Sequence, residues 1–245
     1  LARGPRHLPQ ARVRRALMTP EEWEIVRLSL KVGAVAVAAC LPFAFALAWA
    51  LARGQFPGKV LLDALIHLPL VLPPVVTGWL LLLAFGPEGP AGAWLERSLG
   101  ITFMFRWTGA ALAAAVMALP LMVRAMRLSI EAVDQRFEAA AMTLGASRWR
   151  VFRTITVPLA LPGVIAGVVL GFARSLGEFG ATITFVSNIP GETQTLPLAI
   201  YSALQIPGGE SAAARLAVVS VGLSLAALMI SEVLARRMGR SAHVL

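Results

Sequence analysis

The chain has 245 residues, 58% of them hydrophobic, and a mean hydropathy of +0.75. That composition argues against an ordinary soluble domain and points to a polytopic membrane protein. The formal charge is +9, but the cations gather beside apolar runs or in the first 17 residues. No basic groove with interleaved aromatics appears, which argues against nucleic acid as a partner. Cys40 is the only cysteine, and His7, His67 and His243 are far apart, so neither a disulfide framework nor a metal cluster is expected.

Residues 1–17 hold five arginines (Arg3, Arg6, Arg12, Arg14, Arg15) and no acid. They read as a basic extension with no role in the fold, with Met18 as a natural start and 18–245 as one transmembrane domain. The first apolar run is Leu28 to Leu51, long enough to cross ~30 Å of hydrocarbon. A short loop, Ala52 to Lys59, leads to a second run from Val60 to Phe85. Pro69, Pro73 and Pro74 lie within it and predict a kink, because proline removes a backbone donor. Asp63 and His67, near its start, are expected to be solvated at the interface. Gly86 to Arg106 is a loop that contains Trp94 and ends against Trp107, both read as interfacial aromatics. Trp23, Trp49 and Trp79 read as packing or interface residues.

The third span is about Trp107 to Val123. A charged, Ala-rich stretch, Arg124 to about Arg153, separates it from the fourth, which begins near Ile155. Gly163, Gly167 and Gly171 in the fourth span permit close helix packing. A polar loop from Ser187 to about Gln194 leads into a short helix, and the last span is about Leu216 to Leu234. Five spans place the termini on opposite faces. The loops after spans one and three and the C-terminus are rich in Arg and Lys, while Glu88, Glu96, Glu192 and Glu210 mark the others. By the positive-inside rule the basic loops and C-terminus belong inside and the N-terminus outside.

The long charged stretch is unusual, since most connections need only a few residues. Within it, Glu138-Ala139-Ala140-Ala141 is followed by Gly145, and nine residues later begins Ile155-Thr156-Val157-Pro158. Alanine is small and the best helix former, so a short Ala-faced helix can enter a groove of a soluble partner. Gly145 allows the turn at its end. Ala146, Arg148, Trp149 and Arg150 then offer contact and anchoring groups. This spacing resembles the signature of permease subunits of ATP-binding-cassette (ABC) importers, with Ala139 to Ala141 on the motif's positions and Glu138 one residue early. Val157 stands where the pattern has Leu.

The wider resemblance is to molybdate importer permeases, through Ala173 to Tyr201 (ARSLGEFGATITFVSNIPGETQTLPLAIY), VLPPVVTGWLLLLAFG in span two and FRWTGAALAAAVMALPLMVRA in span three. It implies an all-α, five-helix type I ABC importer permease fold with a cytoplasmic coupling helix. It further implies a homodimer in the bacterial inner membrane, two ATPase subunits carrying ATP and Mg²⁺, an extracytoplasmic molybdate-binding protein, and no cofactor on this chain. Sulfate, thiosulfate or tungstate remains the alternative cargo. The chain has no phosphate-binding G-x-x-x-x-G-K-[ST] loop and no catalytic constellation at membrane depth. It is therefore expected to be non-catalytic. A stand-alone channel would leave the Ala/Arg loop without a purpose.

Arg174 and Glu178 lie where the fourth span would still be in the bilayer, and unpaired charges there cost roughly 2.5–3.5 kcal/mol each. Their spacing allows pairing. Gly177 and Gly180 bracket Glu178 and predict a helix break, which survives at depth only against protein or a water-filled cavity. Arg174 to Thr184 is thus expected to line the translocation route or its gate, with Ser175, Thr182 and Thr184 as weak donors to a dianion. The competing reading makes Arg174–Glu178 a staple of a dimer interface.

Overall fold

The computed structural model describes residues 18–242, so the expected basic extension at 1–17 lies outside the described residues. Among these residues all regular structure is helical. The first helix, α1 (Pro20–Arg53), starts at a capping box. The Thr19 side chain accepts from the Glu22 N–H and the Glu22 carboxylate accepts from the Thr19 N–H, at 3.2 and 2.8 Å, which satisfies two otherwise orphaned donors. The expected second span is instead two helices, α2 (Lys59–Val71) and α3 (Pro74–Phe85), meeting at 116°. Pro73 and Pro74 supply no N–H at the junction, and the residue before a proline is driven out of the helical region. Leu72 has ψ 144°.

A small helix, α4 (Pro90–Leu99), precedes the central helix α5 (Trp107–Glu131). Beyond it come α6 (Gln135–Thr143), the single turn α7 (Arg148–Val151), a π-helical turn (Phe152–Thr156) and α8 (Val157–Leu176). Proline at the start of α8 fits the wide turn before it, because Pro158 brings no N–H to close an ordinary helical bond. The described residues end with α9 (Gly180–Val186), α10 (Leu196–Leu204) and α11 (Glu210–Ala242).

Side-chain contacts order these helices along a common axis. At one end, Arg53 closing α1 reaches Glu138 of α6, and Asp63 of α2 pairs with Arg127 near the end of α5. At the other end, Phe85 closing α3 stacks edge-on against Phe103 just before α5, and Glu22 of α1 pairs with Arg215 of α11. The α2–α3 pair therefore starts at the α6 end and finishes at the opposite end, completing one crossing despite its bend. Four stretches, Pro20–Arg53, Trp107–Glu131, Arg148–Leu176 and Glu210–Ile230, are long and apolar enough to span a bilayer, and the bent pair makes five candidate crossings when counted as one.

Small residues bring the crossings close. Ala44, Ala48, Ala110, Ala114 and Ala118 are fully buried where α1 and α5 pack. On α8, a Cβ at Gly163 would collide with Ser129, and one at Gly171 would lie 2.7 Å from the Met122 side chain. The Ser129 hydroxyl fills this close approach, donating to the Ala160 carbonyl and accepting from the Gly163 N–H at 3.2 Å each.

Candidate coupling surface and membrane-embedded cleft

None of the residues of α6 is buried. Its N-cap is Asp134, whose carboxylate accepts from the Arg136 N–H at 2.9 Å. Ala139 and Ala140 are exposed and Ala141 half-buried, so the alanine face points away from the body. Large apolar groups are exposed beside it, including Phe137 at 60% and Leu144 at 88%. Gly145 has φ +85° and a Cβ there would meet nothing within 4 Å. The demand for glycine is thus conformational, as the spacing predicted. Ala146 is half-buried, Arg148, Arg150 and Pro158 are exposed, and Trp149 stacks on Phe152 with ring centroids 5.4 Å apart.

Glu138 points the other way. Its Oε1 accepts from the Arg53 guanidinium at 3.0 Å and from the Thr156 hydroxyl at 2.7 Å. One carboxylate thus joins α6, the end of α1 and the π-turn leading into α8. Glu138 thus anchors the loop to the body of the molecule. Arg53 and Thr156 were not singled out from sequence. Only the basic last turn of α1 hinted at the first.

At the far end of α8 the expected break is present. The helix stops at Leu176, Gly177 caps it, and α9 begins at Gly180. Arg174 Nη2 lies 2.7 Å from Glu178 Oε2, with the Glu178 side chain almost completely buried. The other carboxylate oxygen accepts from the Ala181 N–H at 2.8 Å. Glu178 is therefore doubly satisfied, which a buried carboxylate requires. The pairing survives the break because the chain turns only after Gly177.

This break meets the other one. A Cβ on Gly180 would lie 2.7 Å from Pro74 Cβ, and one on Gly78 would lie 2.6 Å from the Ala181 carbonyl. The two interrupted helices enclose a cleft of about 330 Å³ lined by Pro74, Val75, Phe179 and the expected Arg174, Gly177, Glu178 and Gly180. Three other expected residues are placed differently. The Ser175 and Thr184 hydroxyls donate to the Gly171 and Gly180 carbonyls of their own helices at 2.8 Å each. Ser175 and Thr182 are buried. None of the three lines the cleft; the Ser175 and Thr184 hydroxyls turn back to the carbonyl one turn earlier, as hydroxyls within a helix do. Pro74 and Val75 were missed as cleft residues, although the double proline signalled the break that carries them.

Asp63 and His67 are more than solvated. Asp63 Oδ2 pairs with Arg127 Nη1 at 3.1 Å, Asp63 Oδ1 lies 3.2 Å from His67 Nδ1, and Arg127 also reaches Glu131 at 2.8 Å. Trp49 packs between Phe45 and Phe152, whereas Trp23 and Trp79 are exposed.

A family model described as the inner membrane component of binding-protein-dependent transport systems matches residues 41–240. The molybdenum transport system permease protein ModB of Escherichia coli K12 is 62% identical over 90% of this chain and 96% of its own length. Its namesake in Haemophilus influenzae is 58% identical over 89% and 95%. The sulfate transport system permease protein CysT of E. coli is 40% identical over 81% and 71%. Among solved structures, a bacterial ABC transporter involved in alginate import superimposes with a TM-score of 0.70 at 16% identity, covering 90% of this chain and 80% of that one. The fold is thus that of ABC importer permeases. An exposed loop helix at one end of α8, a paired carboxylate at the other, and relatives matched over nearly their whole length make this chain a member of the binding-protein-dependent transport inner membrane component family.

Proposed function

We propose that this chain is the non-catalytic membrane subunit of an ATP-driven molybdate importer and that it works as a homodimer. Two ATPase subunits carrying ATP and Mg²⁺ dock at the α6 loops, and an extracytoplasmic molybdate-binding protein delivers the dianion to the opposite face. The α6 end and the C-terminus lie inside and Thr19 outside. The observation that carries the cargo is the 62% identity to a molybdenum permease over 90% of the chain, against 40% to a sulfate permease.

The geometry supports the division of labour. α6 offers an exposed Ala and aromatic face suited to a groove, and Glu138 fixes that helix to the start of α8. From there α8 runs about 30 Å, at 1.5 Å per residue, to Arg174 and Glu178. A push on α6 therefore reaches the cleft through one continuous helix. Interrupted helices and a partly exposed Arg174 cannot face lipid, so the cleft face is covered by the second copy or opens into the aqueous route between copies. Arg174, already neutralised by Glu178, holds a dianion weakly, which suits a path that must release its cargo. Ser175 and Thr184 contribute no free donor in this conformation, so the exposed edge of Arg174 and the Gly177–Gly180 backbone supply the polar lining.

The test is ATP-dependent uptake into vesicles holding the complete complex and its binding protein. Molybdate is taken up, tungstate competes, and sulfate in hundredfold excess does not. Uptake of sulfate in preference to molybdate replaces this reading with the sulfate one. Cysteines placed at Ser147 and Gly191 are labelled by an impermeant reagent from opposite sides. Labelling of both from one side overturns the topology.

A further inference from the structure

A second and larger cleft, about 1090 Å³, opens at the end of the molecule away from α6. Its wall is one face of α1, where Glu21, Glu24, Arg27 and Lys31 fall within a third of the helical circumference. Trp107 at the start of α5 and Glu192 in the loop between α9 and α10 close it. The Lys31 ammonium sits over the Trp107 ring, 3.5 Å from its centroid. The five charged residues are exposed, and among the described residues none of them takes part in an ion pair, although they converge on one cleft.

The charges are sorted by depth. Lys31 lies inside the apolar run that begins at Leu28, with Arg27 at its edge. Glu24 and Glu21 lie one and two turns further out along α1, and Glu192 joins them in the cleft from the loop between α9 and α10. Trp107 is an amphipathic ring of the kind that settles at the membrane interface. Cations at the hydrocarbon boundary with carboxylates above them match a molecule whose phosphate is deep and whose ammonium is shallow.

We infer that this cleft holds the headgroup of a zwitterionic phospholipid with a primary ammonium, its phosphate on Arg27 and Lys31 and its ammonium against Glu21, Glu24 and Glu192. An ammonium with three N–H donors makes charge-assisted bonds to carboxylates, which a quaternary choline cannot. The acids disfavour a purely anionic headgroup. The site depends only on α1 crossing a bilayer and is independent of the solute carried.

The experiment is lipid retention by the intact complex in detergent, read by native mass spectrometry. The probes are phosphatidylethanolamine, phosphatidylcholine and phosphatidylglycerol with identical acyl chains. The complex retains phosphatidylethanolamine most tightly. Arg27→Gln with Lys31→Gln weakens that retention about five-fold per charge removed, while Arg27→Lys with Lys31→Arg preserves it and controls for folding. Glu24→Gln with Glu192→Gln lets phosphatidylglycerol bind as well as phosphatidylethanolamine. Equal retention of the three lipids by the unaltered complex overturns the site, and so does unchanged retention by the double glutamine variant. If that variant loses capture of the binding protein but keeps the lipid, the cleft belongs to a protein partner and the inference is wrong.

Discussion

At its start α8 adjoins α6, a helix with no buried residue, and at its end it meets Glu178, which is 3% exposed. The two regions carry charge in opposite ways. Around α6 the arginines Arg136, Arg148 and Arg150 are exposed and in high dielectric, where a charge needs no partner. Around the cleft one carboxylate takes both an arginine and a backbone N–H because its own side chain is almost completely buried. An exposed face can leave its charges to solvent, whereas a buried carboxylate must be paired. Substitutions should therefore act through assembly at the first region and through transport at the second.

The largest effect is expected at the cleft. Breaking a buried ion pair costs about 3–5 kcal/mol because the remaining charge is stranded. Glu178→Gln and Arg174→Ala should each lower molybdate uptake by a hundredfold or more while the ATPase still co-purifies. The double variant should lose less than the sum of the singles, since the residues touch. Normal uptake by both singles would remove the pair from the route. Loss of dimer together with uptake would make it the interface staple.

Gly145→Val should show the reverse pattern. Its φ of +85° costs a branched residue roughly 1–2 kcal/mol, but a side chain there meets no neighbour. The permease should insert normally and retain ATPase about ten-fold less well in pull-down. Ala140→Trp should do the same by filling the exposed alanine face. Undiminished assembly by both variants would take the loop out of the contact.

A further variant separates docking from transmission. Glu138→Gln keeps a weaker acceptor for Arg53 and Thr156, so α6 stays folded but is held less firmly to α8. A charge-assisted bond exceeds its neutral counterpart by about 1 kcal/mol. ATPase should co-purify as before, while molybdate moved per ATP hydrolysed should fall several-fold. An unchanged ratio would mean that the push does not pass through this carboxylate.

Much of this was legible in the sequence because it rests on local rules. The prolines and glycines gave both helix breaks, hydrophobic run length gave the four long apolar helices and the bent pair between them, and the spacing from Glu138 to Pro158 gave the loop helix with its left-handed Gly145. What was not legible depends on which elements meet. That Pro74 touches Gly180, or that Arg53 at the end of one helix reaches a carboxylate 85 residues on, follows from packing no local pattern encodes. The hydroxyls of Ser175 and Thr184 follow a related rule: their polarity suggested lining, but in this structure each donates to a carbonyl of its own helix.

The smallest effect is expected at Asp63, which tests whether any ion pair near the α6 end matters or only the anchored one. Asp63 reaches Arg127 and His67, but its side chain is 39% exposed and that of Arg127 is 27% exposed. Pairs so open to solvent contribute about 0–1 kcal/mol, and Arg127 keeps its 2.8 Å contact with Glu131 when Asp63 is neutralised. Asp63→Asn also preserves the shape of the contact between α2 and α5. Uptake and ATPase retention should both stay within about two-fold of the unaltered protein, in contrast to Glu138→Gln at the same end of the molecule. A loss as large as that of Glu138→Gln would mean that the bent α2–α3 pair, and not α8 alone, carries motion from the ATPase to the cleft. Pro74 against Gly180 would then be the point where it arrives.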